Sequence, residues 1–266
     1  MAQTKPAQAH WDAEGFHPSA HINPIGLGDL TLSLKQGWQD FLAAPTQLFF
    51  LCLVYPAFGF VLGRAAAGNA LLPLVWPLLA GFALVGPVLA IGLYEISRRR
   101  ELSLAVSWRD MFGVLKSPAI GGIFLLGLSL VATFVIWIGV ARWLYGAFMG
   151  PVAPLSLGAM MSELLHTEHG RMLILVGNLV GAGFALWVVA VSLVSFPMML
   201  DREVSAGEAV LTSLAAFRAN PGTLIVWGMI VGLLLFAGMA FLGVGLAVVL
   251  PVLGHATWHL YRRLVV

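Results

Sequence analysis

The chain has 266 residues, of which 60% are hydrophobic and only 10% are charged, whereas soluble domains carry about 25% charged residues. The mean hydropathy is +0.93, so the composition is that of an integral membrane protein. The net charge of +2 is too small to indicate a nucleic-acid partner. A single cysteine, Cys52, excludes a disulfide framework and a cysteine-based metal site.

The first 28 residues are polar and lack the apolar run of a signal peptide. We expect residues 1–28 to form a disordered cytosolic tail. His10, His17 and His21 lie in it, and the last two have a four-residue spacing. Because no helix fixes their geometry, a polar tail without a bound metal is the favoured interpretation.

Five apolar stretches follow the tail, and a membrane-spanning helix needs about 20 mostly apolar residues. Four stretches have the length of one span, namely roughly 46–63, 71–94, 119–141 and 172–200. The last stretch, 222–260, would be about 58 Å long as one helix at about 1.5 Å per residue. The hydrocarbon core is only about 30 Å thick, so this stretch must fold back or run far outside the bilayer.

Internal similarity favours folding back. GWQDFLAAP (37–45) aligns without a gap with SLAAFRANP (213–221). GPVLAIGLYEISRR (86–99) aligns without a gap with LPVLGHATWHLYRR (250–263), and a weaker third copy lies between them. The repeats predict three units, each with an amphipathic segment, a proline and a hairpin whose second helix contains a proline. The third hairpin should turn near residues 238–245.

The amphipathic segment of each unit has one apolar stripe at helical spacing. Residues 29–44, 103–117 and 205–220 are too short and too polar to span, so we expect helices that lie in the membrane interface. Cytosolic helices that pack on each other are the alternative. Ser205 and Glu208 predict a capping box in the third segment. The stripe of the first segment consists of Leu34, Trp38, Phe41 and Leu42.

Six spans put both termini and all three amphipathic segments on one side of the membrane. That side holds all but three of the 14 lysines and arginines, the exceptions being Arg64, Arg142 and Arg171. The positive-inside rule therefore predicts that both termini are cytoplasmic. A chain with five spans would instead export Arg262 and Arg263.

The closing stretch GHATWHLYRR (254–263) places His255 and His259 four residues apart, on one face of a helix. A metalloprotease motif needs a glutamate directly after the first histidine, where this chain has Ala256. Zinc sites usually have at least three protein ligands, and two histidines on one helix face cannot both ligate one haem iron axially. The simpler interpretation is a pair of polar residues near a helix end, where water and headgroups are close.

The repeat alignment nevertheless brings five polar side chains to one depth on three related helices. They are the candidates for a polar mouth that takes protons, a metal or an anionic headgroup, namely Glu95, Asp201, Arg202, His255 and His259. The rest of the spans carries no Asp, Glu, Lys or Arg, which disfavours an ion-coupled transporter. No catalytic residue and no cofactor are predicted. No metal site is predicted either, and His255 and His259 are the candidate ligands if one exists.

Four stretches resemble the landmarks of a bacterial family of predicted multi-pass integral membrane proteins of unknown function. They are INPIGLGDLTLSLKQGWQDFLAAP, GPVLAIGLYEISRRRE, SFPMMLDREVSAGEAVLTSLAAFRANP and PVLGHATWHLYRRLV. The resemblance runs from about residue 22 to the end of the chain. It implies a multi-pass protein of the bacterial cytoplasmic (inner) membrane with no established activity, and it adds no site residues.

The sequence as a whole predicts an all-α membrane protein whose single domain, residues 29–266, has six transmembrane helices arranged as three hairpins. An amphipathic interfacial helix precedes each hairpin. The favoured function is that of a non-enzymatic scaffold or assembly factor that acts through membrane lipids or a larger membrane complex. The alternative is a permease or channel for a small solute, metal or lipid. A haem- or metal-dependent redox enzyme has the least support.

Overall fold

The computed structural model describes residues 10–12, 15–17, 20–44, 46, 49–50, 52, 71–151, 154–202, 204–240 and 244–266. This part of the chain is nearly all helical. Its helices are α1 (Leu27–Ala43), α2 (Leu72–Gly81), α3 (Gly86–Glu101), α4 (Ile120–Met149), α5 (Leu157–His166), α6 (Glu168–Ser192), α7 (Ser195–Asp201), α8 (Ala206–Ala219), α9 (Pro221–Ala240) and α10 (Leu246–Leu264). Two 3-10 segments, Phe82–Val85 and Trp108–Lys116, flank α3. Two short strands, β1 (His10–Asp12) and β2 (Gly15–His17), pair antiparallel.

The segment before α1 is hydrogen-bonded to the C-terminus. His21 and Val266 exchange two backbone hydrogen bonds of 3.2 and 3.1 Å, and the Asn23 N–H donates to the Leu264 carbonyl at 2.9 Å. The chain is therefore ordered within the stretch that the sequence predicts to be a disordered tail. Residues 1–9 of that tail lie outside the described part.

Four helical stretches are long and apolar enough to cross a membrane, judged by length and composition. They are Leu72–Glu101, Ile120–Met149, Glu168–Asp201 and Pro221–Ala240. The prediction of several apolar membrane helices is thereby confirmed, and these four correspond to the second to fifth predicted spans. The first predicted span, 46–63, falls almost entirely outside the described residues.

The long apolar stretch 222–260 is divided into two helices at the predicted turn. Helix α9 ends at Ala240 and α10 begins at Leu246. Gly238 and Gly245 lie against each other, since a Cβ on Gly245 would come within 2.8 Å of the Gly238 Cα. Helix α10 is more polar than the four apolar stretches because its second half carries the GHATWHLYRR motif.

Two of the four apolar stretches contain a break in the helix just before a proline. The 3-10 turn Phe82–Val85 precedes Pro87, and a turn at residues 193–194 precedes Pro197. Proline lacks an N–H group and cannot complete the helical ladder, so it favours a break of this kind. Pro251, in contrast, lies inside the continuous helix α10.

All three predicted amphipathic segments are helical. The second is a 3-10 helix rather than an α-helix, and its start is capped by Ser107, whose N–H donates to Asp110 at 2.7 Å. The third is α8, in which the Ser205 hydroxyl accepts from the Glu208 N–H at 3.2 Å, one half of the predicted capping box.

Small and polar side chains make up most of the buried residues of α1 and α8. On α1, Ser33, Gly37 and Asp40 are buried together with Leu30 and Phe41, whereas Trp38 and Leu42 of the apolar stripe are 45% and 60% exposed. Small residues let membrane helices approach closely, and large apolar side chains are then free to face lipid. The buried residues of α8 follow the same rule and are Ala209, Thr212, Ser213 and Ala216.

Candidate functional site

Helix α1 lies close to α10 because a glycine stands at the contact. A Cβ on Gly37 would lie 2.6 Å from the Ala256 nitrogen and 2.7 Å from the Val252 carbonyl oxygen. Both are backbone atoms of a packed helix, so only glycine fits here. One turn further along α1, this close approach brings Asp40 to the histidines of α10.

Four polar side chains surround the buried Asp40 carboxylate. Its Oδ1 accepts a hydrogen bond from Arg100 Nη1 at 2.5 Å. Its Oδ2 accepts from Ser97 Oγ at 2.5 Å and from His259 Nε2 at 2.9 Å. His255 completes the group through Ser97. We call these five residues the Asp40 cluster, and they join α1, α3 and α10.

The Asp40 carboxyl is held in its ionised form. Burial by itself would raise its pKa, because the charged form is the one that loses hydration. The hydrogen bonds from His259 and Ser97 outweigh burial, and the pKa of Asp40 is lowered from its ordinary value. An ionised carboxylate only accepts hydrogen bonds, so each of its partners must donate.

This constraint fixes the proton positions in the rest of the Asp40 cluster. Ser97 Oγ lies 2.8 Å from His255 Nδ1. Ser97 has one hydroxyl proton and gives it to Asp40, so His255 must donate from Nδ1 to the Ser97 oxygen. In a hydrolytic triad the histidine lies between serine and aspartate and accepts the serine proton. The order here is Asp–Ser–His, so this histidine does not activate Ser97 as a nucleophile.

His255 is fully buried, and among the described residues its Nε2 has no hydrogen-bond partner. The carbonyl group of Leu93 lies near the ring but does not complete a hydrogen bond. In the described part of the chain, no three His, Cys, Asp or Glu side chains are arranged to hold a metal ion. One buried nitrogen falls short of the three or more protein ligands usual for zinc.

A second polar group lies where α3, α7 and α10 meet. Asp201 Oδ2 accepts from the Tyr261 hydroxyl at 2.8 Å and from Arg262 Nη1 at 3.1 Å. Glu101 accepts from Arg262 Nε at 3.0 Å and from Trp258 Nε1 at 3.1 Å. We call these five residues the Asp201 cluster, in which each carboxylate holds two donors from the C-terminal helix.

The five residues predicted to form one polar mouth belong to three separate groups. His255 and His259 are in the Asp40 cluster. Arg202 lies beside the Asp201 cluster, with its Nε 3.8 Å from the Asp201 carboxylate. Glu95 instead binds Arg98 on its own helix through two hydrogen bonds of 2.8 and 3.0 Å. Each of the five makes a polar contact within the protein.

Sequence reasoning missed Asp40, Ser97 and Arg100. One available signal was the recurrence of the tripeptide WQD, residues 38–40, as WRD at 108–110 in the weak third copy. In that copy Asp110 pairs with Arg99 at 3.4 Å, next to the arginine that Asp40 binds. The burial of Asp40 itself is not marked by an apolar pattern, because two of the other buried residues of α1, Ser33 and Gly37, are small.

The apolar helices expose large apolar side chains such as Phe124 and Leu233 on their outer surface. This arrangement defines the class of the protein. It is an integral membrane protein with several apolar helices. Residues 75–201 match the sequence model of a family described as a predicted integral membrane protein (DUF2189). This match confirms, over residues 75–201, the family resemblance that the sequence indicates. The matched segment includes α3 and Asp201, but not Asp40 or the histidines of α10. The chain matches no curated protein and no solved structure.

Proposed function

We propose that the protein is a non-enzymatic scaffold or assembly factor of the bacterial cytoplasmic membrane that acts through protein or lipid partners. The observation that carries this proposal is the internal pairing of its polar groups. Asp40, Glu95, Glu101 and Asp201 are each held by donors from the same chain. Asp40, Glu101 and Asp201 join different helices, and Glu95 is paired within α3, whereas a transport or catalytic site needs groups that are free to bind a substrate.

Contacts at both ends of α9 and α10 support a hairpin. Asn220 Nδ2 donates to the Asn23 carbonyl at 3.1 Å, and Asn23 in turn binds the Leu264 carbonyl. The start of α9 therefore lies beside the end of α10, and Gly238 and Gly245 join their other ends. Helix α10 therefore runs antiparallel to α9 and crosses the membrane beside it in the opposite direction.

The contact between residues 23 and 264 supports six spans in three hairpins, because it requires an even number of membrane crossings between them. Residues 23 and 264 lie together, so they are on the same side of the membrane and the number of crossings between them is even. The four apolar stretches and α10 make five crossings. The predicted span at residues 46–63 supplies the sixth, and the positive-inside rule puts both termini in the cytoplasm.

The exposed side chains of α1 and of the 3-10 helix support a position in the membrane interface. Trp38 and Leu42 on α1, and Trp108, Phe112 and Leu115 on the 3-10 helix, are all largely exposed. Tryptophan is enriched at the level of the headgroups, and an apolar face of this kind inserts just below them.

The second candidate is a permease or channel for a small solute, metal or lipid, and the helix breaks favour it. Transporters often bind substrates where membrane helices are interrupted. The break at residues 193–194 is flanked by the buried hydroxyls of Ser192 and Ser195, which donate to the Val188 and Val191 carbonyls of α6. A transport path would have to bring water to this break.

Cysteine accessibility separates the two functions. Ser192→Cys and Ser195→Cys are made in a Cys52→Ser chain and treated in intact membranes with a membrane-impermeant thiol reagent. A scaffold leaves both cysteines unreactive, and the chain extracted with its native lipids migrates as a larger complex. Ser162→Cys, on the exposed surface of α5, is the reactive control. Labelling at position 192 or 195, without a larger complex, would favour the permease.

A further inference from the structure

An apolar cleft of about 380 Å³ lies between α3, α4 and the 3-10 helix Trp108–Lys116. Every residue that lines it is apolar or glycine. The wall on α4 consists of Ile120, Ile123, Phe124, Gly127, Leu128 and Val131. Phe124, Leu128 and Val131 are among the exposed residues of that apolar stretch, so the cleft opens on the side of α4 that faces the bilayer.

The length of the cleft corresponds to one leaflet. From Ile120 to Val131 the α4 wall covers 11 residue steps, about 16 Å at about 1.5 Å per residue. Half of the hydrocarbon core is about 15 Å thick. Ile120 begins α4 directly after the amphipathic 3-10 helix, so one end of the cleft lies at the interface and the other near the middle of the bilayer.

We propose that this cleft binds one acyl chain of an anionic phospholipid, whose headgroup is held by Lys116 of the 3-10 helix. The bilayer interior is itself apolar, so transfer from water does not drive this binding. The driving force is packing, because the atoms that line an empty cleft would lack contact partners on one side. A flexible chain from the surrounding leaflet supplies those contacts.

The charges on the 3-10 helix favour an anionic headgroup. Lys116 directly follows Leu115, which lines the cleft, and both Lys116 and Arg109 are exposed. Asp110, between them, is paired with Arg99 at 3.4 Å. Among the described residues no carboxylate pairs with Lys116 or Arg109. Arg109 lies over the ring of Trp108, 5.6 Å from its centroid. Lys116, next to the cleft-lining Leu115, is the cation that complements a phosphate at this end of the cleft, and its apolar stem can lie along the helix surface.

Lipid binding at this cleft requires a protein inserted in a membrane, but neither a scaffold nor a permease function. A protein that binds no lipid there would therefore not count against the proposed function. The purified full chain is reconstituted in vesicles of equal parts phosphatidylcholine and phosphatidylglycerol, extracted in mild detergent, and its retained lipids are counted by native mass spectrometry. We expect one retained phospholipid, with phosphatidylglycerol favoured several-fold.

Two glycines on α4 offer a matched pair of variants. A Cβ on Gly127 would meet only Val88, at an ordinary contact distance of 3.6 Å, so the backbone at this position tolerates a side chain. In Gly127→Phe the phenyl ring should then fill the cleft. Gly139 lies on the same helix with nothing within 4 Å and does not line the cleft. We expect Gly127→Phe to lose the retained lipid several-fold and Gly139→Phe to keep it, with equal helicity by circular dichroism.

The headgroup is tested by Lys116→Gln, with Lys35→Gln on the exposed surface of α1 as its control. We expect Lys116→Gln to retain a lipid but to lose the preference for phosphatidylglycerol, and Lys35→Gln to keep that preference. The proposal is overturned if the wild-type chain retains no phospholipid. It is equally overturned if Gly127→Phe binds as the wild type does, or if both lipids are retained equally.

Discussion

Asp40 illustrates how one buried carboxylate can hold three helices together. It has three donors, one of which is the guanidinium of Arg100. The Asp40→Asn variant keeps the shape but removes the charge, and its amide N–H₂ faces donors that it cannot bind. We expect a loss of about 1.5–3 kcal/mol in the free energy of unfolding, the range for hydrogen bonds to charged groups.

Asp29→Asn is the matched control for this prediction, because Asp29 is on the same helix but its ion pair with Arg263 is longer, at 3.6 Å, and more exposed. Exposed ion pairs contribute about 0–1 kcal/mol. Both variants are compared by reversible unfolding in mixed detergent micelles. Equal losses in the two variants would contradict the role of the Asp40 cluster.

The lowered pKa of Asp40 also predicts how stability depends on pH. A carboxyl whose pKa is lower in the folded state contributes stability above its unfolded value, about 3.9, and loses that contribution as the pH falls through the folded value. The difference in unfolding free energy between the wild type and Asp40→Asn should therefore be constant from neutral pH down to about pH 5 and shrink below about pH 4. A difference that grows in acid would show that Asp40 is protonated in the folded state.

The hydrogen bonds of the Asp40 cluster predict opposite tautomers for its two histidines. His259 donates to the carboxylate from Nε2, and His255 donates to Ser97 from Nδ1. Long-range ¹H–¹⁵N correlation spectra of the labelled protein distinguish the two forms. In the Asp40→Asn variant, His259 should change tautomer more readily than His255, because His259 donates directly to Asp40. Finding both histidines in the same tautomer would refute the proton assignment.

At the scale of elements, the contact between α1 and α10 depends on Gly37. A methyl group there meets backbone atoms at 2.6–2.8 Å, which cannot move aside as a flexible side chain can. We expect Gly37→Ala to lower the free energy of unfolding by about 1–3 kcal/mol, the usual cost of overpacking, even though alanine has the higher helix propensity. Gly28→Ala, at the exposed start of the same helix with nothing within 4 Å, should be neutral. A neutral Gly37→Ala variant would mean that α1 can shift along α10.

Helix α1 also shows that part of the apolar stripe of an amphipathic helix can remain exposed. In a soluble protein the large apolar side chains of an amphipathic helix point to the core. Next to a membrane they can point to lipid, and the small polar face then packs on the protein. Trp38 and Leu42 on α1 follow the second rule. Periodicity therefore predicted the helices correctly, but which face was buried depended on the surroundings.

At the scale of the whole molecule, the six-span arrangement predicts which cysteines can be labelled from outside the cell. In a Cys52→Ser chain, Ser162→Cys on α5 should react with an impermeant thiol reagent in intact cells. Lys35→Cys on α1 and Val266→Cys at the C-terminus should react only after the membrane is permeabilised. A chain with five spans would instead expose Val266→Cys to the outside.

Much of the fold could be predicted because apolar length is a local property of the sequence. The four apolar stretches follow from counting residues against the thickness of a bilayer, and the division of 222–260 into two helices with a turn near Gly245 follows from that count together with the internal repeats. The candidate site was predicted less well. His255 and His259 were named, yet Asp40 lies more than 200 positions away in the chain, and only the packing of α1 on α10 brings it to them.

The sequence by itself determined that this is a membrane protein with several apolar helices, because hydropathy and helix length are properties of neighbouring residues. It also located the polar residues of α10. The tertiary structure decided which polar groups meet. Glu95, Asp201 and His255 align at one depth in the repeats, but helix rotation and the close approach at Gly37 assign each of them to a different partner. A hydrogen bond extends only about 3 Å, so a shared depth along the membrane normal cannot by itself put two side chains in one site.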